Sequence, residues 1–267
     1  MLVGTWNINS IKIRKEQVEK LLSERSIDIL ALQETKVKTE EFPTFIFKKL
    51  GYEVYHQGGK GRNGVAILSK FKAEEIIIGF KGLKEEDQFP DVKERIIGVK
   101  FSSPNIKEYW VFSVYIPNGS PVNSDYYFYK LQFLWKFREF LEANFSVDHP
   151  LIIMGDFNVA PEEIDVYDPE ILRESICFTE REKKAFKALL RFGLVDALRL
   201  KYPEKSGIFT WWDYQFSAFN KNQGMRLDHI LITSVLIDKL ENVWVEKTPR
   251  SWKKPSDHAP VLAEFKI

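Results

Sequence analysis

The chain has 267 residues, of which 44% are apolar and 14% aromatic, enough to bury a large core and to exclude a disordered polypeptide. Its 39 basic and 38 acidic residues leave a net charge of +1, so affinity for a polyanion has to come from local clustering, not bulk charge. A single cysteine, Cys177 between Ile176 and Phe178, excludes an internal disulfide and reads as a packed thiol, while the lack of a bilayer-length apolar run or a signal-peptide layout points to a cytoplasmic protein.

Leu2 to Ile8 is predicted as a strand with Asn7 near its end. A helix follows from Ile11 to Ser23, then a strand over Ile27 to Leu32 that stops at Gln33-Glu34. Phe42 to Leu50 reads as a short helix. Tyr52–Gln57 and Gly64–Ser69 read as strands around a turn, Gly58-Gly59-Lys60-Gly61-Arg62-Asn63. Strands continue over Ala73–Phe80, Arg95–Phe101 and Tyr109–Ile116, a largely antiparallel run. After the break at Pro117-Asn118-Gly119-Ser120-Pro121, Ser124 caps the longest helix, with Phe133, Leu134, Phe137 and Leu141 on its buried face. Leu151 to Met154 is a buried strand running into Gly155-Asp156-Phe157-Asn158. An acidic, irregular segment spans Pro161 to Arg173. Thr179 and Glu182 form a capping box for a helix that ends before Gly193. Phe209–Tyr214, Arg226–Thr233, Glu241–Val245 and Pro260–Phe265 complete the strands. The order repeats between the halves, which predicts an α/β protein of two mostly antiparallel sheets packed face to face, flanked by helices, in one domain over 1–267.

Six polar residues stand where apolar strands stop: Asn7, Glu34, Asp156, Asn158, Asp228 and Asp257. Carboxylates at buried strand ends are costly unless paired or metal-bound, so these four, with the amides of Asn7 and Asn158, predict convergence on one site. Asp156 and Asn158 are two apart and leave a strand on the same side; an Asx turn would give the same pattern. Glu34 is a hard oxygen ligand for Mg²⁺ or Mn²⁺, and no Cys/His cluster suits zinc. His258, in Ser256-Asp257-His258-Ala259-Pro260, is the histidine expected to act, its imidazole held by Asp228. His229 is expected to point away, and His56 and His149 read as ordinary turn residues. This set fits phosphodiester hydrolysis: Asp156 takes a proton from water that Asn158 orients, His258 and Asn7 donate to the phosphoryl oxygens, and a metal at Glu34 stabilises the leaving oxygen. Tyr115 is a candidate phosphate contact.

At these residues the chain resembles the exonuclease III family of apurinic/apyrimidinic (AP) endonucleases, within the endonuclease/exonuclease/phosphatase superfamily. The resemblance runs from Trp6-Asn7-Ile8-Asn9 through Gln33-Glu34-Thr35-Lys36, Tyr115-Ile116-Pro117-Asn118, Gly155-Asp156-Phe157-Asn158, Gly193-Leu194-Val195-Asp196 and Arg226-Leu227-Asp228 to the Asp257-His258 segment. It implies a four-layer α/β sandwich with the site at one edge of the sheets. It further implies Glu34 as metal ligand helped by Asn7 and Asp257, and Tyr115 and Asn118 on the target phosphate. Members cut 5′ to abasic sites in double-stranded DNA, leaving a 3′-hydroxyl, and many trim 3′ ends. Trp211 and Leu227 would line the pocket for the flipped sugar, and Met225 would wedge into the duplex. Where some relatives carry an arginine after the Tyr-x-Pro-Asn motif, this chain has Pro121; Lys60 and Arg62 are expected to grip phosphates instead. The protein is expected to act as a monomer. Two other readings are a phosphodiesterase of the same superfamily acting on inositol phosphates or sphingolipids, and a non-catalytic DNA-binding module. The full catalytic set disfavours the second.

Overall fold

The structure, a computed structural model, describes residues 1–83 and 88–267. One six-stranded sheet contains β1 (Leu2–Asn7), β2 (Ile29–Gln33), β3 (Glu53–Gln57), β4 (Val65–Ser69), β13 (Leu240–Val245) and β14 (Val261–Phe265), in the order β13-β14-β1-β2-β4-β3. The second contains β5 (Glu75–Ile78), β6 (Ile96–Phe101), β7 (Tyr109–Tyr115), β8 (Leu151–Asp156), β9 (Leu194–Asp196) and β12 (Asp228–Thr233), in the order β5-β6-β7-β8-β12-β9. A two-strand ribbon pairs β10 (Trp211–Trp212) with β11 (Gly224–Met225).

Each sheet is antiparallel except at one place. β1 and β2 are parallel, joined across α1 (Ile11–Arg25); β7 and β8 are parallel, joined across α3 (Asp125–Asn144). A parallel pair needs a crossover connection, and these two helices supply it. The expected similarity of the halves resides in this shared βαβ unit.

The two sheets face each other across a core that includes Val3, Ile29, Val65, Val111, Ile152, Met154 and Ile230. Behind the first sheet, α1 and α2 (Thr44–Lys49) pack on Trp6, Leu30, Leu32 and Leu262. Behind the second, the Phe133, Phe137 and Phe140 stripe of α3, with α4 (Glu180–Leu190), covers Phe112, Leu151, Ile153 and Leu231. The result is four layers, as expected. The capping box of α4 is present, Thr179 and Glu182 exchanging both bonds, and Ser124 Oγ caps α3 by accepting from Tyr127 N. The strand β9 and the short helix α5 (Ala197–Lys201) were not anticipated; three to five residues are too few for a period to emerge.

Strand periodicity positions the site. Along β8, Ile152 and Met154 face the opposite sheet while Leu151 and Ile153 face the helices, so Asp156 falls on the inner side. By the same alternation Asp228 follows Ile230 and Ile232, and Tyr115 follows Tyr109 and Val111. Register then aligns the ends: Asp156 lies opposite Asp228 on one side and Tyr115 on the other, and Asn7 opposite Gln33. Gly155 is required by this closeness, since a Cβ there would lie 1.8 Å from the Val114 carbonyl oxygen.

Candidate active site

The expected residues meet at one edge of the two sheets. Asp156 is buried and accepts from Asn7 Nδ2 at 2.8 Å and Asn158 Nδ2 at 3.3 Å. Its Oδ1 also accepts the Asn158 backbone N–H at 2.9 Å, so the Asx turn and the functional pair are one structure. The turn puts Asn158 at φ 51, a left-handed conformation that asparagine tolerates better than most residues. His258 Nδ1 lies 2.7 Å from Asp228 Oδ2, and its Nε2 lies 3.8 Å from Asp156 Oδ2. His229 points to the helical side of its sheet, as alternation requires, where it meets Val159 O and Arg226.

Asn7 bridges the two carboxylates, giving Nδ2 to Glu34 Oε1 at 2.8 Å as well as to Asp156. Its Oδ1 accepts the Asn9 backbone N–H, which fixes the amide orientation. Asn7 therefore presents a donor to this space, which corrects its expected part as an oxygen ligand. Asp257 takes the Trp211 indole N–H at 3.0 Å and Asn9 Nδ2 at 3.1 Å.

Charge in the site is unevenly held. Burial pushes the Asp156 carboxyl up to about 7, and Asp228 adds to this while His258 opposes it. Burial disfavours the His258 cation, but Asp228 and Asp156 outweigh it and raise the imidazole to about 10. Burial, then the Glu34 charge, hold the Tyr115 hydroxyl well above its ordinary value, so it remains a donor. Burial would raise Asp257 too, yet His258, Trp211 and Asn9 keep it below the usual carboxylate range.

Glu34 lies just past β2 in a left-handed conformation (φ 50), as does Lys36 (φ 55). Backbone bonds from Thr35 N to Gly64 O and from Lys36 N to Asn63 O fasten this turn. Thr35 Oγ1 meets His56 Nε2 at 2.8 Å, so His56 is a buried brace and not the turn residue expected from the sequence. Burial drops the His56 imidazole to about 4. Lys36 Nζ sits 2.8 Å from Glu34 Oε2, so a cation already neutralises the carboxylate where a metal would. Asp228 Oδ1 is buried without a partner among the described residues. Asp156, Asp228 and His258 offer ligand atoms within 4.8 Å of one another, but His258 Nδ1 is engaged by Asp228. The donor set is thus oxygen-rich and anionic, with no thiolate, and fits a hard divalent cation at Glu34 better than zinc.

A cavity of about 320 Å³ opens here, walled by Trp211, Met225, Leu227, Ile176 and Cys177 opposite Glu34, Asp156 and His258. Met225 is only 6% exposed and packs with Val166 and Phe178, so it forms the wall and does not project as a wedge. Beyond it runs a second cleft of about 450 Å³, sharing Glu34, Tyr115 and Asn118 and adding Lys36, Arg62, Arg95 and Tyr126. Arg62 reaches this cleft; Lys60 is exposed on the same loop and does not line it. Lys36, Gln33 and Asn9 are site residues that sequence reasoning quoted within motifs without giving them a part. Gln33 links the sheets beneath the site, accepting from Thr5 Oγ1 and donating to Ser113 Oγ.

A four-layer sandwich with an acidic and histidine site at the sheet edge defines a hydrolase of phosphate esters. Residues 4–258 match the model of the endonuclease/exonuclease/phosphatase family. Exodeoxyribonuclease III of Haemophilus influenzae is 34% identical over 98% of both chains, and the DNA repair nuclease APEX1 of Danio rerio is 30% identical over 98% of this chain and 81% of its own. An AP endonuclease from Archaeoglobus fulgidus superposes with TM-score 0.92 at 36% identity, over the full length of both chains. The 3′ phosphatase NExo from Neisseria, bound to a product DNA hairpin, does so with TM-score 0.91 at 35% identity, again over both full chains. The chain belongs to the endonuclease/exonuclease/phosphatase family, on the branch of exodeoxyribonuclease III and the AP endonucleases, a group of metal-dependent nucleases.

Proposed function

We propose that this protein is a Mg²⁺-dependent DNA-repair nuclease that hydrolyses the phosphodiester 5′ to abasic sites in duplex DNA, leaving a 3′-hydroxyl, and that it also trims 3′ ends. The observation that carries this is the convergence of Asp156, Asn158, His258 and Asn7 on a cavity that has one apolar wall, Ile176, Trp211, Met225 and Leu227, suited to a sugar without its base.

The chain's own groups divide the work. Asp156, with its carboxyl raised to about 7, takes the proton of the attacking water, and Asn158, donating to Ile116 O and Asp156 Oδ2, fixes the carboxylate that orients it. His258, kept cationic by Asp228, donates from Nε2 to a phosphoryl oxygen. Tyr115 and Asn118 hold the phosphate from the cleft side, and Trp211, Met225 and Leu227 enclose the base-free sugar. Arg62, with Lys60 at its margin, takes a flanking phosphate, in keeping with the 3′ phosphatase neighbour's DNA-bound state. Mg²⁺, or Mn²⁺ in its place, held by Glu34 with help from Asp257, would supply charge neutralisation at the leaving oxygen.

Offering an abasic duplex, a recessed 3′ end and a phosphoinositide side by side tests this reading. Cleavage of the abasic and recessed DNA, abolished by EDTA, is expected. Turnover of the lipid phosphate alone would replace it with a phosphodiesterase of another substrate class.

A further inference from the structure

Lys130 is a lysine on the apolar stripe of α3, three and four residues before Phe133 and Leu134, and its side chain is wholly buried. A buried ammonium is costly unless every donor finds an acceptor. Lys130 Nζ has three oxygen acceptors, the main-chain oxygen of Asn118 at 3.0 Å, that of Asn158 at 2.6 Å, and Glu182 Oε1, with Cys177 Sγ at 3.9 Å. Glu182 is equally buried. Besides capping α4 it accepts the Cys177 backbone N–H at 3.1 Å, fixing the segment that carries Cys177 and Ile176 into the cavity wall.

Asn118 and Asn158 come from different strand ends, yet their amides meet, Asn118 Nδ2 donating to Asn158 Oδ1 at 3.1 Å. Asn158 is in a left-handed conformation, which persists only where surrounding structure over-determines it. The Asp156 carboxylate holds its N–H side; Lys130 holds its carbonyl. We infer that the buried Lys130–Glu182 pair is a positioning device for the reaction: one ammonium, anchored by Glu182, clamps the backbones of Asn118 and Asn158 so that Asn158 stays bonded to Asp156 and Asn118 stays beside it at the cavity. Lys130 touches no substrate and acts through these two residues. This rests on the nuclease reading above.

The test is the double variant Lys130→Met with Glu182→Gln. It leaves no unpaired buried charge, and glutamine keeps the capping box. Three quantities are read on an abasic duplex: kcat, KM, and the Mg²⁺ concentration for half-maximal rate. Glu34 lies on a different strand end, so a clamp on the asparagines moves kcat, and through Asn118 also KM, while the Mg²⁺ midpoint stays in place. The expected result is a fall in kcat of at least about tenfold, with the Mg²⁺ midpoint within about twofold of wild type. Hydrogen exchange of the Asn158 N–H is expected to quicken by about tenfold while the β8 interior is unchanged. That second readout needs no turnover, so a wild-type protein that cuts no DNA sinks the nuclease reading and leaves the clamp to be judged by exchange. Wild-type kcat with unchanged Asn158 exchange in the folded double variant overturns the proposal, and so does a parallel shift of kcat and the Mg²⁺ midpoint, which marks general loosening. If the double variant does not fold, Lys130→Gln with Glu182→Gln, which also leaves no unpaired buried charge, decides: kcat lowered by about threefold or more at an unchanged Mg²⁺ midpoint supports the clamp, and wild-type kcat overturns it.

Discussion

Asp156 and His258 are tuned in opposition by the same neighbours. Asp156 has to be ionised to take a proton and His258 protonated to give one. With the carboxyl raised to about 7 and the imidazole to about 10, activity is expected to rise through the first value and fall through the second, a bell visible in the pH dependence of kcat/KM. Asp228→Asn removes the negative charge that holds the His258 cation. The imidazole pKa therefore drops and the alkaline limb moves to lower pH; an unmoved limb would separate His258 from Asp228 functionally. Asp156→Asn keeps the shape of the site and its acceptor for Asn158 N, but removes the base. A loss of about 10²–10⁴ in kcat is expected, with abasic-duplex affinity retained in a direct binding assay. These residues were legible in the sequence because each is a polar side chain ending an apolar strand. Lys130 was not: its signal, a lysine in phase with Phe133, Phe137 and Leu141, looks from sequence like a snorkelling side chain at the margin of a helix face. Only the packed structure shows that its ammonium goes inward.

At the level of elements, the cavity wall hangs on a buried ion cluster. Arg226 stands between Met225 and Leu227 and turns its guanidinium the other way, donating to Asp165 at 2.6 Å and Asp196 at 2.6 Å. Burial alone would raise both carboxyls, but Arg226 keeps them below the usual range, helped at Asp165 by Arg199 and at Asp196 by His229. The sign follows: carboxyls depressed in the folded state stabilise it above their unfolded values near 3.9, and that stability is lost as pH falls through the folded ones. Arg226→Met should destabilise by about 3–5 kcal/mol in urea melts at neutral pH, because it removes the cation shared by two buried carboxylates, leaving Asp196 with His229 and Asp165 with Arg199. It should also weaken the fall in stability below about pH 4, since the depressed carboxyls cause that fall. The sequence showed Arg226-Leu227-Asp228 as one motif, and alternation turned His229 away from Asp228, as the structure has it. It could not show Arg226's partners, because Asp165 lies in an irregular segment and Asp196 ends a strand of three residues. Long elements were read well: α3 and α4 have stripes and caps, and β8 and β12 are unbroken apolar runs. The same reading missed that each sheet contains a parallel pair, since parallel pairing is decided by which strands neighbour in space.

For the molecule as a whole, a net charge of +1 leaves DNA affinity to local features. Beside the cavity, the second cleft gathers Lys36, Arg62 and Arg95, the last paired with Asp91. Arg62→Ala is expected to reduce the slope of log affinity against log salt by about 0.9, the share of one phosphate contact, with no change in which lesion is cut. Lys60→Ala, outside the cleft, should reduce it by less. An unchanged slope in both would return this loop to an ordinary solvated turn. The central claim is that Asp156, His258 and a metal at Glu34 act together on the phosphate 5′ to a missing base. It is tested most directly on a 5′-labelled duplex with one abasic site, resolved at single-nucleotide length with and without Mg²⁺. The expected result is one product ending immediately 5′ of the lesion, extendable by a polymerase through its 3′-hydroxyl, formed only with the divalent ion and lost in Asp156→Asn. A cut on the 3′ side of the lesion, or undiminished cutting in EDTA or by Asp156→Asn, would contradict it.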